Sequence, residues 1–300
     1  MIAVITGASG FVGSNLCQFL EIKNNEVHKL SLRNTDWYSN IPVDSQAIIH
    51  LAGKAHDTAN TSDASAYFKV NTELTKKLFD FYLNSEIQDF IYFSSVKAVA
   101  DSVEGTLTED AIGSPKTPYG ESKLLAEEYI LEQKLPQDKR VFIIRPCMIH
   151  GPGNKGNLNL LYNMVKKGIP YPLASFANQR SFLSIDNLNF MINAILSDKN
   201  ILSGVYNFAD DDAVSTNRLV KIIAEVSGKK AHLLKIPKVL ITTGAKIGDK
   251  IKLPLNSETV KKLTENYRVS NDKIKKAIGI EILPISASDG LKKTIKSFMK

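Results

Sequence analysis

The chain has 300 residues, 43% of them hydrophobic and 23% charged, with a formal net charge of +7. This composition is typical of a globular protein with one large domain and a smaller one, and no apolar run approaches the roughly 20 residues of a membrane span. The apolar N-terminus predicts a strand of the fold rather than a signal peptide, so we expect a cytoplasmic protein. The chain has two cysteines, Cys17 and Cys147, which do not indicate a disulfide framework. Its five histidines lack the clustered spacing of a zinc site, so no metal is expected.

The first half of the chain alternates predicted strands with predicted helices. Strands are expected near residues 1–6, 27–32, 46–51, 89–94 and 141–145, and helices near 11–23, 64–84 and 118–134. This rhythm predicts an α/β fold, a doubly wound parallel sheet of the Rossmann type with helices on both faces. Ligands of such sheets bind beyond the carboxyl ends of the strands, where Gly7, Ala52, Ser95 and Pro146 should line one crevice.

A glycine-rich loop follows the first predicted strand, at Gly7-Ala-Ser-Gly-Phe-Val-Gly13. Glycines at these spacings let the backbone turn tightly, approach a pyrophosphate and pack the next helix closely, so that helix amides face the phosphates. A simple turn with good helix packing is the alternative. The candidate cofactor-binding residues here are Gly7, Ser9, Gly10, Phe11, Val12 and Gly13.

The end of the second predicted strand bears on which cofactor binds. An acidic residue there would hold the ribose 2′-hydroxyl of NAD, but the sequence reads Leu30-Ser-Leu-Arg33. A guanidinium suits the extra phosphate of NADP, so NADP(H) is expected in preference to NAD(H), although a strand-end arginine is also a common solvated residue. The segment between Arg33 and Ala47 is too short for an additional strand.

The predicted helix at 118–134 opens with Tyr119-Gly-Glu-Ser-Lys123, and the strand at 89–94 leads into Ser94-Ser95. Residues four apart share one helix face, and an ammonium beside a phenol favours the phenolate, so Tyr119 is a candidate acid or base. This spacing also occurs by chance on many helices, so the interpretation depends on the strand and glycine loop around it. The hydroxyl of Ser95 is a candidate hydrogen-bond donor to a reacting oxygen; the alternative is that it caps a turn at the end of the strand.

After residue 150 the chain contains loops suited to a second ligand, and helices predicted at 157–167, 215–227 and 257–264 form a small lid. We expect a dinucleotide-binding domain at 1–150 with about 181–209, and a substrate domain at 151–180 and 210–300.

The C-terminal part of the chain is strongly basic. Residues 221–300 hold 18 Lys or Arg against 7 Asp or Glu, and residues 229–252 hold seven Lys and one Asp around a short apolar run. Such lysines usually form a solvated surface. Attraction of a sugar diphosphate and contact of 229–252 with an anionic membrane surface are the functional alternatives. Nucleic acid is not an expected partner, because no recognised binding motif accompanies the charge.

The order of motifs along the chain resembles the extended short-chain dehydrogenase/reductases. The motifs are TGASGFVG at 6–13, HLAG at 50–53, Val70-Asn71, Ser94-Ser95, YGESK at 119–123, Arg145-Pro146 and HGPG at 150–153. The chain is most similar to bacterial UDP-hexose 4-ketoreductases and 4-epimerases of the NAD-dependent epimerase/dehydratase group, which serve surface-polysaccharide pathways. The resemblance implies that Tyr119 exchanges a proton with the sugar, that Lys123 binds the nicotinamide ribose, and that Ser95 bonds the reacting oxygen.

The resemblance also implies binding residues outside the catalytic group. Those for the cofactor are Leu51, Ala52, Gly53, Asn71 and Pro146, together with Tyr119 and Lys123; those for a UDP-sugar are Ser95, Lys155, Asn157 and Arg180. The predicted helices at 64–84 and 118–134 resemble a dimer-forming pair, so a homodimer is left open.

The two residues after Ser95 narrow the expected reaction. Related 4,6-dehydratases carry an Asp-Glu pair there, whereas this chain has Val96-Lys97. Valine cannot transfer a proton, so hydride transfer at one carbon is expected without dehydration. Together with Arg33 this favours NADPH-dependent reduction of a UDP-4-keto-(6-deoxy)hexose at C4. The alternatives are a UDP-hexose 4-epimerase with tightly held NAD(P), an enzyme for a polyprenyl-diphosphate-linked sugar, and a non-catalytic NAD(P)-binding sensor or scaffold.

Overall fold

A computed structural model describes residues 1–54, 63–154, 156–251 and 256–299. The strands, in chain order, are β1 (Ile2–Thr6), β2 (Glu26–Leu30), β3 (Ala47–His50), β4 (Asp89–Phe93), β5 (Thr106–Leu107), β6 (Arg140–Pro146), β7 (Met148–His150), β8 (Phe182–Ser184), β9 (Gly204–Phe208) and β10 (Arg268–Val269). The α-helices are α1 (Phe11–Ile22), α2 (Ala64–Tyr67), α3 (Leu74–Leu83), α4 (Pro118–Glu132), α5 (Asn157–Lys166), α6 (Ile185–Ser197), α7 (Thr216–Val226), α8 (Lys238–Ile251), α9 (Ser257–Thr264), α10 (Asp272–Ala277) and α11 (Ala287–Ser297).

Six parallel strands form the central sheet, in the order β2-β1-β3-β4-β6-β9. The five strands predicted for the first half of the chain are all present, and the doubly wound α/β fold is confirmed. The sixth strand, β9, comes from the segment at about 181–209, which the sequence analysis assigns to the dinucleotide-binding domain. Because β2 and β3 lie on opposite sides of β1, the sheet has its topological switch point between β1 and β3.

Alternation along the strands explains why both faces of the sheet are covered. Ile5, Ile49 and Ile91 face a cluster that includes residues of α1 and α6. Their neighbours Ile48 and Phe90 face the opposite cluster, which includes residues of α3 and α4. Successive side chains of a strand point to opposite faces, so a sheet with helices on both sides needs nearly continuous apolar strands. The apolar strand sequences satisfy this requirement.

The predicted helix at 64–84 is interrupted by a π-helical turn. The described elements are α2, the π-helical segment Phe68–Glu73 and α3. Such a turn widens the helix locally and is frequent at functional sites. It places Asn71 on the side that contacts α4.

A second apolar cluster lies outside the sheet and joins α5, α7, α8, α9 and α11 through residues such as Tyr162, Ile223, Ile241 and Leu291. Its members come mostly from the ranges expected for the substrate domain, and the division into two domains stays a prediction. Cys17 and Cys147 are both buried and unpaired. Within the described residues, no helix has the length and apolar character needed to cross a membrane.

Candidate active site

The glycine loop packs against the segment that follows β3. Gly7 has a φ of +70°, and a Cβ on it would lie 2.7 Å from the backbone nitrogen of Ala52. A Cβ on Gly13 would lie 2.3 Å from the carbonyl oxygen of Gly7. Both distances are far below van der Waals contact, so glycine is required at these positions and the two loops meet at the switch point of the sheet.

The start of α1 is arranged as an anion site. Gly10 is the N-cap, and no described side chain hydrogen-bonds the amides of the first turn. Unpaired amides at a helix N-terminus attract phosphate groups through hydrogen bonds and the helix dipole. Together with the tight glycine loop they fit the pyrophosphate of a dinucleotide. The residues that would hold it are those expected from the sequence: Gly7, Ser9, Gly10, Phe11, Val12 and Gly13.

Arg33 lies three residues beyond the end of β2, whose last residue, Leu30, pairs with Thr6 at the end of β1. Its side chain is exposed and makes no hydrogen bond or ion pair with the described residues. Between Arg33 and β3 the described chain has a short 3₁₀ turn at Trp37–Asn40 and no strand, as its length predicts. Trp37 is buried and packs edge-on against Phe81, with ring centroids 5.7 Å apart.

A chain of hydrogen bonds through His50 links the end of β1 and the segment after β3 to the helical segment that carries Asn71 and Thr75. Thr6 Oγ1 lies 2.7 Å from His50 Nδ1 and accepts the amide of Ala52 at 3.1 Å. His50 Nε2 lies 2.9 Å from Thr75 Oγ1, which donates to the carbonyl of Asn71 at 2.7 Å. Since Thr75 uses its proton on Asn71, His50 Nε2 must donate and Nδ1 must accept. Complete burial and nearby Lys123 lower the pKa of His50 to about 3, so the ring is neutral.

Tyr119 and Lys123 lie near the start of α4, where Pro118 occupies the first turn and Thr117 Oγ1 caps the helix by accepting from Gly120 N at 3.2 Å. Tyr119 is half-buried, and the ring of Tyr67 meets it edge-on at 6.3 Å between centroids. Burial raises the pKa of Tyr119, while a hydrogen bond with Ser95 opposes that rise.

The ammonium of Lys123 points into the protein. Its Nζ donates to the carbonyl of Phe93 at 2.8 Å and lies 4.8 Å from the centre of the Tyr92 ring. Burial lowers the pKa of Lys123 to about 8, while the Glu127 carboxylate acts in the opposite direction. The sequence-based expectation that Lys123 brings the pKa of Tyr119 below its ordinary value is therefore wrong for this arrangement, because the burial of the phenol outweighs other effects.

The structure distinguishes Ser95 from Ser94. Ser95 caps the 3₁₀ turn Val96–Ala98 by accepting from Lys97 N at 3.1 Å, and it also hydrogen-bonds Tyr119. Ser94 instead donates to the buried carboxylate of Glu127. Ser95 therefore has both roles: its hydroxyl caps the turn, which is the alternative role raised by the sequence, and it hydrogen-bonds the phenol of Tyr119.

Asn71 ties three segments together from a fully buried position. Its amide nitrogen donates to Ser122 Oγ at 3.0 Å and to the carbonyl of Lys54 at 3.1 Å, and its amide oxygen accepts from Lys54 N at 2.7 Å. A Cβ on Gly53 would lie 3.1 Å from this oxygen and 3.2 Å from Lys123 Nζ. The predicted residues Gly53, Asn71 and Lys123 are thus brought together, beside Ser122 of α4.

The remaining predicted cofactor residues lie at neighbouring strand ends. Leu51 and Ala52 follow β3, and Pro146 is the last residue of β6. Ser94 N donates to the carbonyl of Ile144 at 2.8 Å, which holds the chain after β4 beside the end of β6. The strand ends expected to line one crevice therefore lie side by side.

The residues expected to bind the sugar nucleotide are less closely assembled. Arg180 is half-buried and exchanges backbone hydrogen bonds with Val214, at 3.1 and 2.8 Å. The adjacent Gln179 accepts from the backbone of Tyr267 at 2.8 Å, and the Tyr267 hydroxyl donates to the carbonyl of Ala100 at 2.7 Å, in the segment that follows Ser95.

Asn157 is exposed at the start of α5, and within the described part of the chain its side chain makes no hydrogen bond to the catalytic group. Lys155 lies outside the described residues.

Several contributing residues were missed in the sequence. A buried ion pair joins Glu127 to Arg145, with Nε–Oε2 at 3.0 Å and a second guanidinium nitrogen 2.5 Å from the same oxygen. Glu127 lies four residues after Lys123, so helix periodicity could have placed it on the same face. Tyr67 and Tyr267 gave no such local signal.

The comparisons with known proteins agree with this geometry. The model of the NAD dependent epimerase/dehydratase family matches residues 3–209. The UDP-glucose 4-epimerase of Vibrio cholerae is 29% identical, covering 99% of this chain and 95% of that protein. An Escherichia coli O157:H7 protein, N-acetyl-α-D-glucosaminyl-diphospho-ditrans,octacis-undecaprenol 4-epimerase, is 28% identical over 98% of this chain and 94% of its own length.

A similar solved structure is that of UDP-N-acetylglucosamine 4-epimerase from Bacillus cereus, with a TM-score of 0.78 and 19% identity over 100% of this chain and 99% of that chain. At this identity the similarity shows the fold.

Proposed function

Because this chain belongs to the NAD-dependent epimerase/dehydratase family of extended short-chain dehydrogenase/reductases, we propose that it interconverts C4 epimers of a UDP-activated hexose. The observation that carries this proposal is the assembly of Ser95, Tyr119 and Lys123 beside the glycine loop, at the carboxyl ends of the sheet strands. A phenol, a hydroxyl and an ammonium suffice for proton exchange at the oxygen of a carbon that gains or loses hydride.

The choice between epimerase and reductase draws on the relatives. The sequence alone favours an NADPH-dependent 4-ketoreductase, but both relatives described above are 4-epimerases aligned over nearly their whole lengths. That extent of similarity supports epimerisation as the first candidate. Arg33 supports the reductase as the second, because its exposed guanidinium suits the 2′-phosphate of NADPH.

The chain's own residues would act on the sugar oxygen at C4. The nicotinamide cofactor, when bound, supplies the acceptor and donor of hydride. Tyr119 takes the proton of the C4 hydroxyl as the carbon is oxidised and returns it to the ketone oxygen on reduction. Ser95 holds that oxygen by a hydrogen bond and keeps the phenol oriented. In epimerisation the ketone turns its other face before hydride returns.

The positive charge of Lys123 can serve this proton transfer from a fixed position. Its Nζ is held by the Phe93 carbonyl, and the family resemblance assigns it a contact with the nicotinamide ribose. A buried ammonium with a pKa of about 8 is still mainly protonated at neutral pH. Its charge favours the phenolate, the form in which Tyr119 can accept the C4 hydroxyl proton, and so opposes the burial that raises the pKa of Tyr119.

The two residues after Ser95 do not supply the additional acid and base that dehydration requires. Val96 is buried, and the Lys97 ammonium donates to the carbonyl of Asp101 at 2.7 Å and lies 4.2 Å from the centre of the Tyr267 ring. A lysine held in this way is bound to protein acceptors, and valine cannot exchange protons. This supports redox chemistry confined to C4.

We propose that the sugar nucleotide lies between the strand-end crevice and the C-terminal substrate domain, with Arg180 directed to its diphosphate. The backbone connection from Gln179 through Tyr267 to Ala100 supports this placement, because it brings the segment of Arg180 to the chain after Ser95. Lys155 and Asn157 remain proposed contacts of the same ligand.

The deciding experiment incubates the protein with UDP-glucose or UDP-N-acetylglucosamine bearing deuterium at C4, plus catalytic NAD or NADP, and follows products by NMR. An epimerase gives the C4 epimer with deuterium retained at C4 and no net reduced cofactor. A reductase instead leaves these substrates unchanged. In a parallel incubation with NADPH and a UDP-4-ketohexose, it consumes one NADPH per molecule of the ketosugar. Neither product from either sugar class would contradict the proposed function, and the sensor or scaffold interpretation would replace it.

A further inference from the structure

Helix α8 carries apolar residues on the side that faces away from the protein. Ile241 and Ala245, four residues apart, are buried in the second apolar cluster, at 7% and 1% exposure. Val239, Leu240 and Ile247 are 73%, 63% and 55% exposed. At 100° per residue these three lie on the face opposite the buried pair. An ordinary surface helix is mostly polar there, whereas on α8 these three apolar side chains share the outward face with Thr243 and Lys246.

Lysines surround this outward face. Lys238 and Lys246 of α8 are exposed, and Lys229, Lys230 and Lys235 precede the helix. The one acidic residue between 229 and 252, Asp249, is engaged elsewhere, since its carboxylate accepts from the backbone nitrogen and hydroxyl of Ser257 at 2.9 and 2.6 Å. None of these lysines forms an ion pair with a described carboxylate. The surface therefore combines exposed apolar side chains with uncompensated positive charge.

We propose that this surface, α8 with the preceding lysines, docks in the plane of a membrane that contains anionic lipids. An apolar helix face flanked by lysines is the pattern of interfacial helices, which place the apolar residues among acyl chains and the ammonium groups among phosphates. A second copy of the chain is a poor occupant, because two such faces would bring like charges together. An anionic bilayer satisfies both the apolar and the charged components.

Docking would bring the active site to substrates that are attached to membrane lipids by a diphosphate. This extension rests on the proposed C4 chemistry, whereas membrane binding does not. Vesicle binding and turnover of UDP-hexoses are therefore measured separately, so that failure of one leaves the other interpretable.

The test is co-sedimentation of the full chain with vesicles of phosphatidylcholine alone and with 30% phosphatidylglycerol. We expect binding only to the anionic vesicles and its loss at high salt. Val239→Glu with Ile247→Glu should lower the partition coefficient by about 100-fold or more, and Lys238→Gln with Lys246→Gln by about 25-fold, at about 5-fold per lysine. Matched controls, Val43→Glu with Leu202→Glu and Lys116→Gln with Lys134→Gln, change exposed residues elsewhere and should bind as the parent does.

Three results would overturn the proposal. One is no binding to anionic vesicles by the parent protein, and another is an equal loss in the control doubles. The third is a shift from dimer to monomer in Val239→Glu with Ile247→Glu, measured by light scattering without lipid, which would assign the face to a protein contact. Circular dichroism and the C4 assay on UDP-hexoses confirm that each variant is folded and active.

Discussion

Replacing Lys123 by methionine should stabilise the cofactor-free protein at neutral pH and abolish its redox function. In the folded chain, burial lowers the pKa of Lys123 to about 8 from its ordinary value of 10.5. The unfolded chain therefore binds this proton more tightly than the folded chain does. Below pH 8 both states are charged and the folded state bears the full penalty, which fades as the pH rises to 10.5.

The magnitude follows from the size of that displacement. A pKa lowered by this amount corresponds to a penalty of about 3 kcal/mol at pH 7, since one pH unit is about 1.4 kcal/mol. Methionine removes the penalty but leaves the Phe93 carbonyl without its donor at 2.8 Å, which costs about 1 to 3 kcal/mol. We expect Lys123→Met to be about 1 kcal/mol more stable than the parent at pH 7. From pH 7 to 10 the parent should gain about 2 to 3 kcal/mol relative to the variant.

Urea unfolding of both proteins at pH 7 and pH 10, followed by circular dichroism, measures this difference. Lys134→Met, an exposed lysine just after α4, is the matched control and should show no pH-dependent difference. Calorimetry should find weaker cofactor binding by Lys123→Met. A stability difference from the parent that is the same at both pH values would refute the buried-ammonium account.

Three further predictions concern the cofactor, the reaction and the fold. Arg33→Ala should weaken NADPH binding by about 1.5 to 3 kcal/mol in calorimetry and leave NADH binding unchanged, whereas equal affinities in the parent would rule out an NADP preference. UDP-glucose should give no 4-keto-6-deoxy sugar, because Val96 stands where dehydratases carry an acid. Detection of the alkaline chromophore of such a product would contradict this prediction. Glu127→Ala should lower the free energy of unfolding by about 3 to 5 kcal/mol in urea titrations, since it strands the buried Arg145; a loss under 1 kcal/mol would show the pair to be dispensable.

The sequence predicts those parts of the molecule whose signals are local. Apolar runs define the strands, the spacing from Gly7 to Gly13 requires a tight turn, and Tyr119 and Lys123 share a helix face by periodicity alone. The structure adds the physical reason for the glycines, because a Cβ on Gly7 would collide with Ala52 from another strand's loop.

The remainder depends on contacts between distant segments. Tyr67 against Tyr119, and Tyr267 against the chain after Ser95, join residues that no local pattern connects. The pKa of Tyr119 was misjudged for the same reason, since the depth of burial of a phenol is a tertiary property. The outward apolar face of α8 became visible only when its buried side was known.

The central claim is that Tyr119 exchanges a proton with the oxygen on C4 of the sugar, and turnover of Tyr119→Phe tests it most directly. The substitution deletes one oxygen from a helix that otherwise remains unchanged. NMR rates of C4 conversion should fall by about 100-fold or more, with the urea midpoint and the cofactor affinity close to those of the parent. A Tyr119→Phe protein that converts UDP-hexose at the parent rate would contradict the account.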